Sequence, residues 1–250
     1  MLGKPNTYHE LLATLKQPGC AVCRSVDAAV RQRIDAFLYE QITVIERRTE
    51  IREARGFCSA HGTLLNGVGY MLGNAILQQD VLNDVLREIG KVLPSNKHEE
   101  TSAQSRKNRS IKNLAQGLFN KAGAIANAIK PKRECVLCEY ERDREAIFLR
   151  TLVNNLHEPE LRAAFEASGG LCLPHFRVVL GLNEIKGENL PVLIEIEIAI
   201  LSALKAEVDE FLHKSNASFG FTQADMGSEA DAPLRALMMV SGRVIHTDGR

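Results

Sequence analysis

The chain writes one pattern of cysteine and histidine residues twice, and this pattern uses all six of its cysteines. Each copy consists of a Cys-x-x-Cys pair followed by a Cys-x-x-His pair. The Cys-x-x-Cys pairs are 115 residues apart, and the Cys-x-x-His pairs are 114 residues apart. Copy one contains Cys20, Cys23, Cys58 and His61, and copy two contains Cys135, Cys138, Cys172 and His175. Since no thiol is left over, the pattern does not suggest a separate catalytic or disulfide role.

Three thiolates and one imidazole are a common tetrahedral ligand set for structural zinc. We therefore expect two zinc sites, and we expect each copy to close its own site with its own four ligands. An iron–sulfur cluster with one histidine ligand is the main alternative. A thiol–disulfide oxidoreductase is the third, although the motifs do not lie in a strand–helix pattern of the thioredoxin type. The remaining histidines have no such partners and are not predicted to bind metal: His9, His98, His157, His213 and His246.

Apolar residues recur at steps of three and four along most of the chain, which is typical of amphipathic helices. In copy one, the spacing predicts one long helix from Cys23 that continues through Ile51 and ends at Gly56, a residue suited to terminating a helix. In copy two, Pro159 is expected to split the corresponding helix. No segment alternates in the manner of a strand. The sequence therefore predicts an all-α fold with two pseudo-repeated helical modules, each closed by a Cys3His metal site.

Changes in composition indicate four segments. The predicted metal-binding modules are 1–93 and 131–214, and they are separated by a polar, basic linker and connecting helix over 94–130. Within that linker, a helix is expected to begin at Ile111 and to end before Pro131. The remaining segment, 215–250, is predicted to be a tail whose short helix docks on the chain itself.

The charges balance, with 31 basic and 31 acidic residues, so no overall field favours nucleic acid or an anionic membrane. The segment 106–133 is locally basic. A solvated surface is the simpler interpretation, and a contact with nucleic-acid phosphates is the alternative. The start of the chain lacks the apolar run of a signal peptide, and no segment is apolar for long enough to span a membrane. We therefore expect a cytoplasmic protein with reduced thiols.

The paired half-sites, Cys-x-x-Cys and Gly-apolar-Cys-x-x-His with long helices between them, resemble an uncharacterised bacterial family of helical cysteine-rich proteins, a domain of unknown function. The resemblance implies a metal-dependent helical architecture. It rests on Cys20, Cys23, Gly56, Phe57, Cys58 and His61, and on Cys135, Cys138, Gly170, Leu171, Cys172 and His175.

The ligand shells are saturated, and no Asp, Glu, Ser or Lys residues cluster at catalytic spacing. The sequence therefore favours a non-enzymatic protein, with no catalytic residues predicted. In this hypothesis two structural zinc ions fix a helical scaffold that binds a macromolecular partner, most simply another protein. The alternative is an iron–sulfur protein that acts in electron transfer or redox sensing.

Overall fold

A computed structural model describes residues 6–66, 71–92, 121–182, 188–215 and 226–242. All regular structure in these ranges is helical, which confirms the predicted all-α fold. The helices are α1 (Asn6–Leu15), α2 (Ala21–Tyr39), α3 (Ile45–Glu53), α4 (Ser59–Asn66), α5 (Met71–Val92), α6 (121–129), α7 (Val136–Asn154), α8 (Pro159–Glu166), α9 (Leu173–Leu180), α10 (Asn189–Ser215) and α11 (Ala232–Ser241), with a 3-10 turn at Ser228–Asp231.

The chain divides into two compact units. Unit 1 comprises residues 1–29 and 141–250, and unit 2 comprises residues 30–140. Both boundaries fall inside helices, one in α2 and the other in α7. The units cut across the predicted modules 1–93 and 131–214, because each unit combines pieces of both sequence copies. Most of the predicted linker 94–130, including the expected helix start at Ile111, lies outside the described residues.

The predicted single long helix of copy one is wrong, because α2 ends at Tyr39 and α3 begins only at Ile45. The intervening residues include the β-branched run Ile42–Val44, and such side chains lose rotamer freedom in a helix. In copy two, the predicted break is confirmed, since α7 ends at Asn154 and Pro159 opens α8. Both copies therefore follow the same order of a long helix, a break and a short helix.

The predicted helix stop at Gly56 is confirmed by the backbone. Gly56 has φ +94°, and its N–H donates to the carbonyl of Ile51. In copy two, Gly170 follows α8 with φ +71°. A positive φ is accessible to glycine at little steric cost. Each glycine lies in the turn between a short helix and the next cysteine.

Unit 1 packs apolar residues of α1, α7 and α8 into a core. Leu11, Phe148, Leu152, Leu161 and Phe165 are each almost completely buried. Burial of a side chain of this size contributes about 1.5–3 kcal/mol. Helix α11 of the predicted tail lies in this unit, where its Arg235 forms ion pairs with Glu207 of α10 and with Asp231.

Unit 2 contains a close helix-to-helix contact at Gly73 of α5. A Cβ atom at this position would lie 2.7 Å from the carbonyl oxygen of Leu38 in α2. Such a contact is too short for any side chain, so glycine permits the approach. Ile34, Ile51 and Leu77 fill the core beside it. None of the described helices in either unit has the length and apolar character needed to cross a membrane.

Candidate metal centres

The eight predicted ligands form two groups, but the structure pairs the half-sites across the two copies. The Cys20 cluster consists of Cys20, Cys23, Cys172 and His175, and the Cys58 cluster consists of Cys58, His61, Cys135 and Cys138. The expectation that each copy closes its own site is therefore wrong. The Cys20 cluster belongs entirely to unit 1 and the Cys58 cluster to unit 2. Each compact unit contains one complete Cys3His set.

Every half-site is built on the first turn of a helix. The first cysteine of each half-site lies just before the helix, and its carbonyl oxygen accepts the N–H four residues later. The second ligand lies three residues on, within the first turn, so both side chains point to the same side. Two helix N-termini therefore face each cluster, and the positive ends of their dipoles favour thiolates. The four first cysteines are Cys20, Cys58, Cys135 and Cys172.

The ligand atoms of the Cys20 cluster have the spacing of a mononuclear site. The Nδ1 atom of His175 lies 3.4 Å from the sulfur of Cys20, 3.4 Å from that of Cys23 and 3.0 Å from that of Cys172. The sulfurs of Cys23 and Cys172 are 3.6 Å apart. A tetrahedral zinc ion, with bonds of about 2.3 Å to sulfur and about 2.0 Å to nitrogen, separates sulfurs by about 3.8 Å and sulfur from nitrogen by about 3.5 Å.

The Cys58 cluster has the same geometry. The Nδ1 atom of His61 lies 3.2 Å from the sulfur of Cys58, 3.7 Å from that of Cys135 and 3.4 Å from that of Cys138. The sulfurs of Cys58 and Cys138 are 3.6 Å apart. All four ligand atoms in each cluster lie within 4.8 Å of one another. The donor types and their spacing therefore fit a single tetrahedral ion in each unit.

In unit 1, two glycine-containing turns bring the half-sites together. An added Cβ at Gly169 would lie 3.3 Å from the backbone nitrogen of Gly19, so the backbones approach closely beside Cys20. The N–H of Leu171 donates to Oε1 of Glu197 on α10, at 2.5 Å. Gly170 leaves room for this carboxylate, since its Cβ would lie 3.0 Å from Oε2 of Glu197. These contacts place the turn that carries Cys172 next to the turn that carries Cys20.

In unit 2, the turn before Cys135 docks on the end of α3. The N–H of Lys132 donates to the carbonyl of Glu53 at 2.8 Å. The guanidinium of Arg55 donates to the carbonyls of Ala128 and Ile129, at 2.8 and 3.1 Å. These bonds join residues 128–132 to residues 53–55. The physical reason for the crossed pairing in this unit is therefore a main-chain contact between sequence-distant turns, which local spacing does not predict.

In the Cys20 cluster three thiols surround one imidazole, and each of these groups changes the pKa of its neighbours. Contacts with Cys172 and Cys23 lower the pKa of Cys20 well below its usual range. Contacts with Cys172 and Cys20, together with burial, raise the pKa of Cys23. Burial opposes protonation of His175, but contacts with the thiols and with Glu145 raise its pKa to about 12. One ionised thiol therefore suppresses ionisation of its neighbour, a penalty that a bound divalent cation would remove.

The Cys58 cluster shows the same competition between thiols. Burial acts to raise the pKa of Cys135, but hydrogen bonds from His61 and from backbone groups lower it to about 6. Burial and the neighbouring Cys58 sulfur raise the pKa of Cys138. The two clusters thus share their charge pattern as well as their geometry.

Two acidic residues near the Cys20 cluster were not predicted from the sequence. Glu145 on α7 places Oε1 3.1 Å from Nε2 of His175. Glu197 is completely buried, and burial raises its pKa to about 7 despite the hydrogen bond from Leu171. Glu145 lies among the charged residues of α7, and Glu197 is one of several acidic residues in α10. No local signal in the sequence distinguishes either residue from surface carboxylates.

The other histidines that the structure describes belong to neither cluster. His9, His157 and His213 belong to neither group, and His98 and His246 lie outside the described residues. Residues 106–120 of the predicted basic segment 106–133 are also outside them. Within the described part, Arg133 forms an ion pair with Glu139 in unit 2. This arginine is thus engaged by an acidic side chain of its own unit.

The family model described as "Family of unknown function (DUF6062)" matches residues 12–247, which is most of the chain. The chain belongs to this family. Comparisons with curated proteins and with solved structures give no match. The DUF6062 match includes all eight ligand residues and supports the resemblance to a family of unknown function. In this DUF6062 member, the two Cys3His clusters are the groups whose chemistry points to a function.

Proposed function

We propose that this protein binds two zinc ions as structural elements, one in the Cys20 cluster and one in the Cys58 cluster. The spacing of the ligand atoms carries the proposal, because distances of 3.0–3.7 Å among sulfur and Nδ1 atoms match those around one tetrahedral ion. Four protein ligands fill the coordination shell of zinc, which is typical of structural sites rather than catalytic ones. When bound, zinc would supply the charge that stabilises three neighbouring thiolates.

The same spacing disfavours the iron–sulfur alternative. The terminal ligands of a cluster bind different iron atoms, and this places them farther apart than the ligands of a single ion. In each group all four ligand atoms lie within 4.8 Å of one another. A mononuclear site therefore fits these side chains without rearrangement, whereas a cluster would require the two helix N-termini to separate.

The test is anaerobic purification of the full chain, followed by metal analysis and visible spectroscopy. We expect a colourless protein with about two zinc ions per chain, one for each closed shell. Replacement of the zinc by Co²⁺ should give the absorption of tetrahedral cobalt with thiolate ligands. A brown protein that contains iron and acid-labile sulfide would contradict the proposal and would support electron transfer or redox sensing.

We further propose that the zinc-stabilised helices form a scaffold for a protein partner. Helix α5 supports this idea, because Leu82 and Leu86 lie one turn apart and are 60% and 66% exposed. Cross-linking of the native complex from cell extract should place α5 at the contact. The double variant Leu82→Glu and Leu86→Glu should lose the cross-links while it keeps its zinc, whereas the control Leu212→Glu on α10 should keep both. Unchanged cross-linking in the double variant would refute this location.

A further inference from the structure

We propose that Glu145 is a positioning residue for His175 and tightens metal binding in the Cys20 cluster, an inference that rests on the proposed zinc sites. His175 directs Nδ1 at the three sulfurs of the cluster, so its metal-binding atom is Nδ1. Its other ring nitrogen, Nε2, lies 3.1 Å from Oε1 of Glu145. The imidazole is thus held between the ligand cluster on one side and a carboxylate on the other.

This arrangement fixes both the tautomer and the orientation of the ring. An Nε2–H that donates to a carboxylate leaves the lone pair of Nδ1 free for the metal, and it increases the basicity of that nitrogen. The imidazole and carboxylate side chains are only 11% and 22% exposed, so water competes weakly for the contact. Outer partners of this kind change metal affinity by about 10–100-fold when they are removed.

The Glu145 carboxylate is not part of the sequence repeat. Glu145 lies 115 residues after Val30, the same offset that separates Cys20 from Cys135. Val30 is completely buried in the core. The residue that corresponds to Glu145 in copy one therefore has no carboxylate to offer. Removal of the Glu145 carboxylate should accordingly affect one cluster and not both.

A cavity beside the Cys20 cluster exposes it to small molecules, so zinc transfer to a chelator can be measured. A cavity of about 190 Å³ is lined by Glu145, Cys23, Cys172 and His175, and also by Glu141 from the preceding turn of α7. Asp143→Leu removes an exposed carboxylate of α7 that does not line this cavity, and it is therefore the matched control for Glu145→Leu. Glu145→Gln removes the charge but keeps an oxygen that can accept the Nε2–H, so it should have an intermediate effect.

The experiment uses the full chain loaded with two zinc ions and follows transfer of zinc to a chromophoric chelator. With Glu145→Leu, one of the two zinc ions should be bound about 10–100-fold more weakly, while the other is unchanged. Hydrogen exchange during partial zinc removal should locate the loss at residues 172–180. Asp143→Leu should bind both zinc ions as the wild type does. Two zinc ions whose affinities are the same in Glu145→Leu, in Glu145→Gln and in the wild type would overturn the inference but leave the proposed function intact. A wild-type chain without zinc would overturn both.

Discussion

Replacement of Cys58 by serine tests the crossed pairing of the half-sites. The structure places Cys58 with Cys135 and Cys138, so the substitution should open residues 131–139 and the turn at 53–61. It should leave residues 10–26 of unit 1 protected, although Cys20 and Cys23 belong to the same sequence copy as Cys58. Pairing within each copy predicts the opposite result, with exchange at Cys20 and Cys23 and protection at 131–139.

The size of the effect follows from the linkage between metal binding and local opening. At a free zinc concentration of 100 times Kd, bound metal stabilises the closed form by about 2.7 kcal/mol, which corresponds to about 100-fold slower amide exchange. Loss of the metal should therefore accelerate exchange in 131–139 by about that factor. The hydrogen bond from Lys132 to Glu53 and the ion pair between Arg133 and Glu139 do not involve the metal ligands. They should limit the opening to a local fluctuation of the segment, while the core helices stay protected.

Native-state hydrogen exchange with mass spectrometry, at fixed free zinc, is the appropriate assay. The reciprocal variant Cys20→Ser is the control, and it should accelerate exchange at residues 170–180 while 131–139 stays protected. The crossed arrangement would be refuted if Cys58→Ser released residues 20–26, or if both variants opened the same peptides.

Two further predictions concern buried charged groups, Glu197 within unit 1 and Arg55 within unit 2. Burial raises the pKa of Glu197 from 4.5 to about 7, so the folded chain retains a proton that the unfolded chain releases between these values. The stabilisation that this proton gives is thus greatest below pH 4.5 and is lost as the pH rises to about 7. In denaturant unfolding at a series of pH values, the free energy of unfolding of Glu197→Gln should rise relative to that of the wild type by up to about 3 kcal/mol between pH 4.5 and 8. A difference that does not change with pH would contradict this. Arg55→Met removes the buried partner of Asp84, which is paired with Arg87 as well, and should cost about 3 kcal/mol by denaturant unfolding. A loss below about 0.5 kcal/mol would show that Arg55 is dispensable.

The eight side chains that form the two clusters and the helical class could be predicted because both are expressed in local spacing. Two half-sites in the same order, at offsets of 115 and 114 residues, indicate a repeated chelate, and three- to four-residue apolar steps indicate helices. The break after Tyr39 was also accessible, since Ile42, Thr43 and Val44 are all β-branched. The apolar residues on either side of this run keep a helical spacing, and this spacing conceals the break.

The pairing of the half-sites could not be predicted in the same way. Each Cys-x-x-Cys pair is chemically complete with either Cys-x-x-His pair, so the within-copy and crossed arrangements offer the metal identical ligands. The choice depends on tertiary contacts such as the backbone approach of Gly19 and Gly169 and the bond from Lys132 to Glu53. Glu145 was missed for a related reason, because its importance arises only when α7 meets His175.

The insertion of unit 2 between residues 29 and 141 of unit 1 has a consequence for the order of assembly on the ribosome. Chain growth delivers all four ligands of the Cys58 cluster once Cys138 has emerged. Cys20 and Cys23 emerge first of all the ligands but must wait for Cys172 and His175. Of the six cysteines, the first two to be synthesised are therefore the last to find their partners. During that interval the two thiols are open to oxidation, and the proposed zinc site of unit 1 cannot yet form.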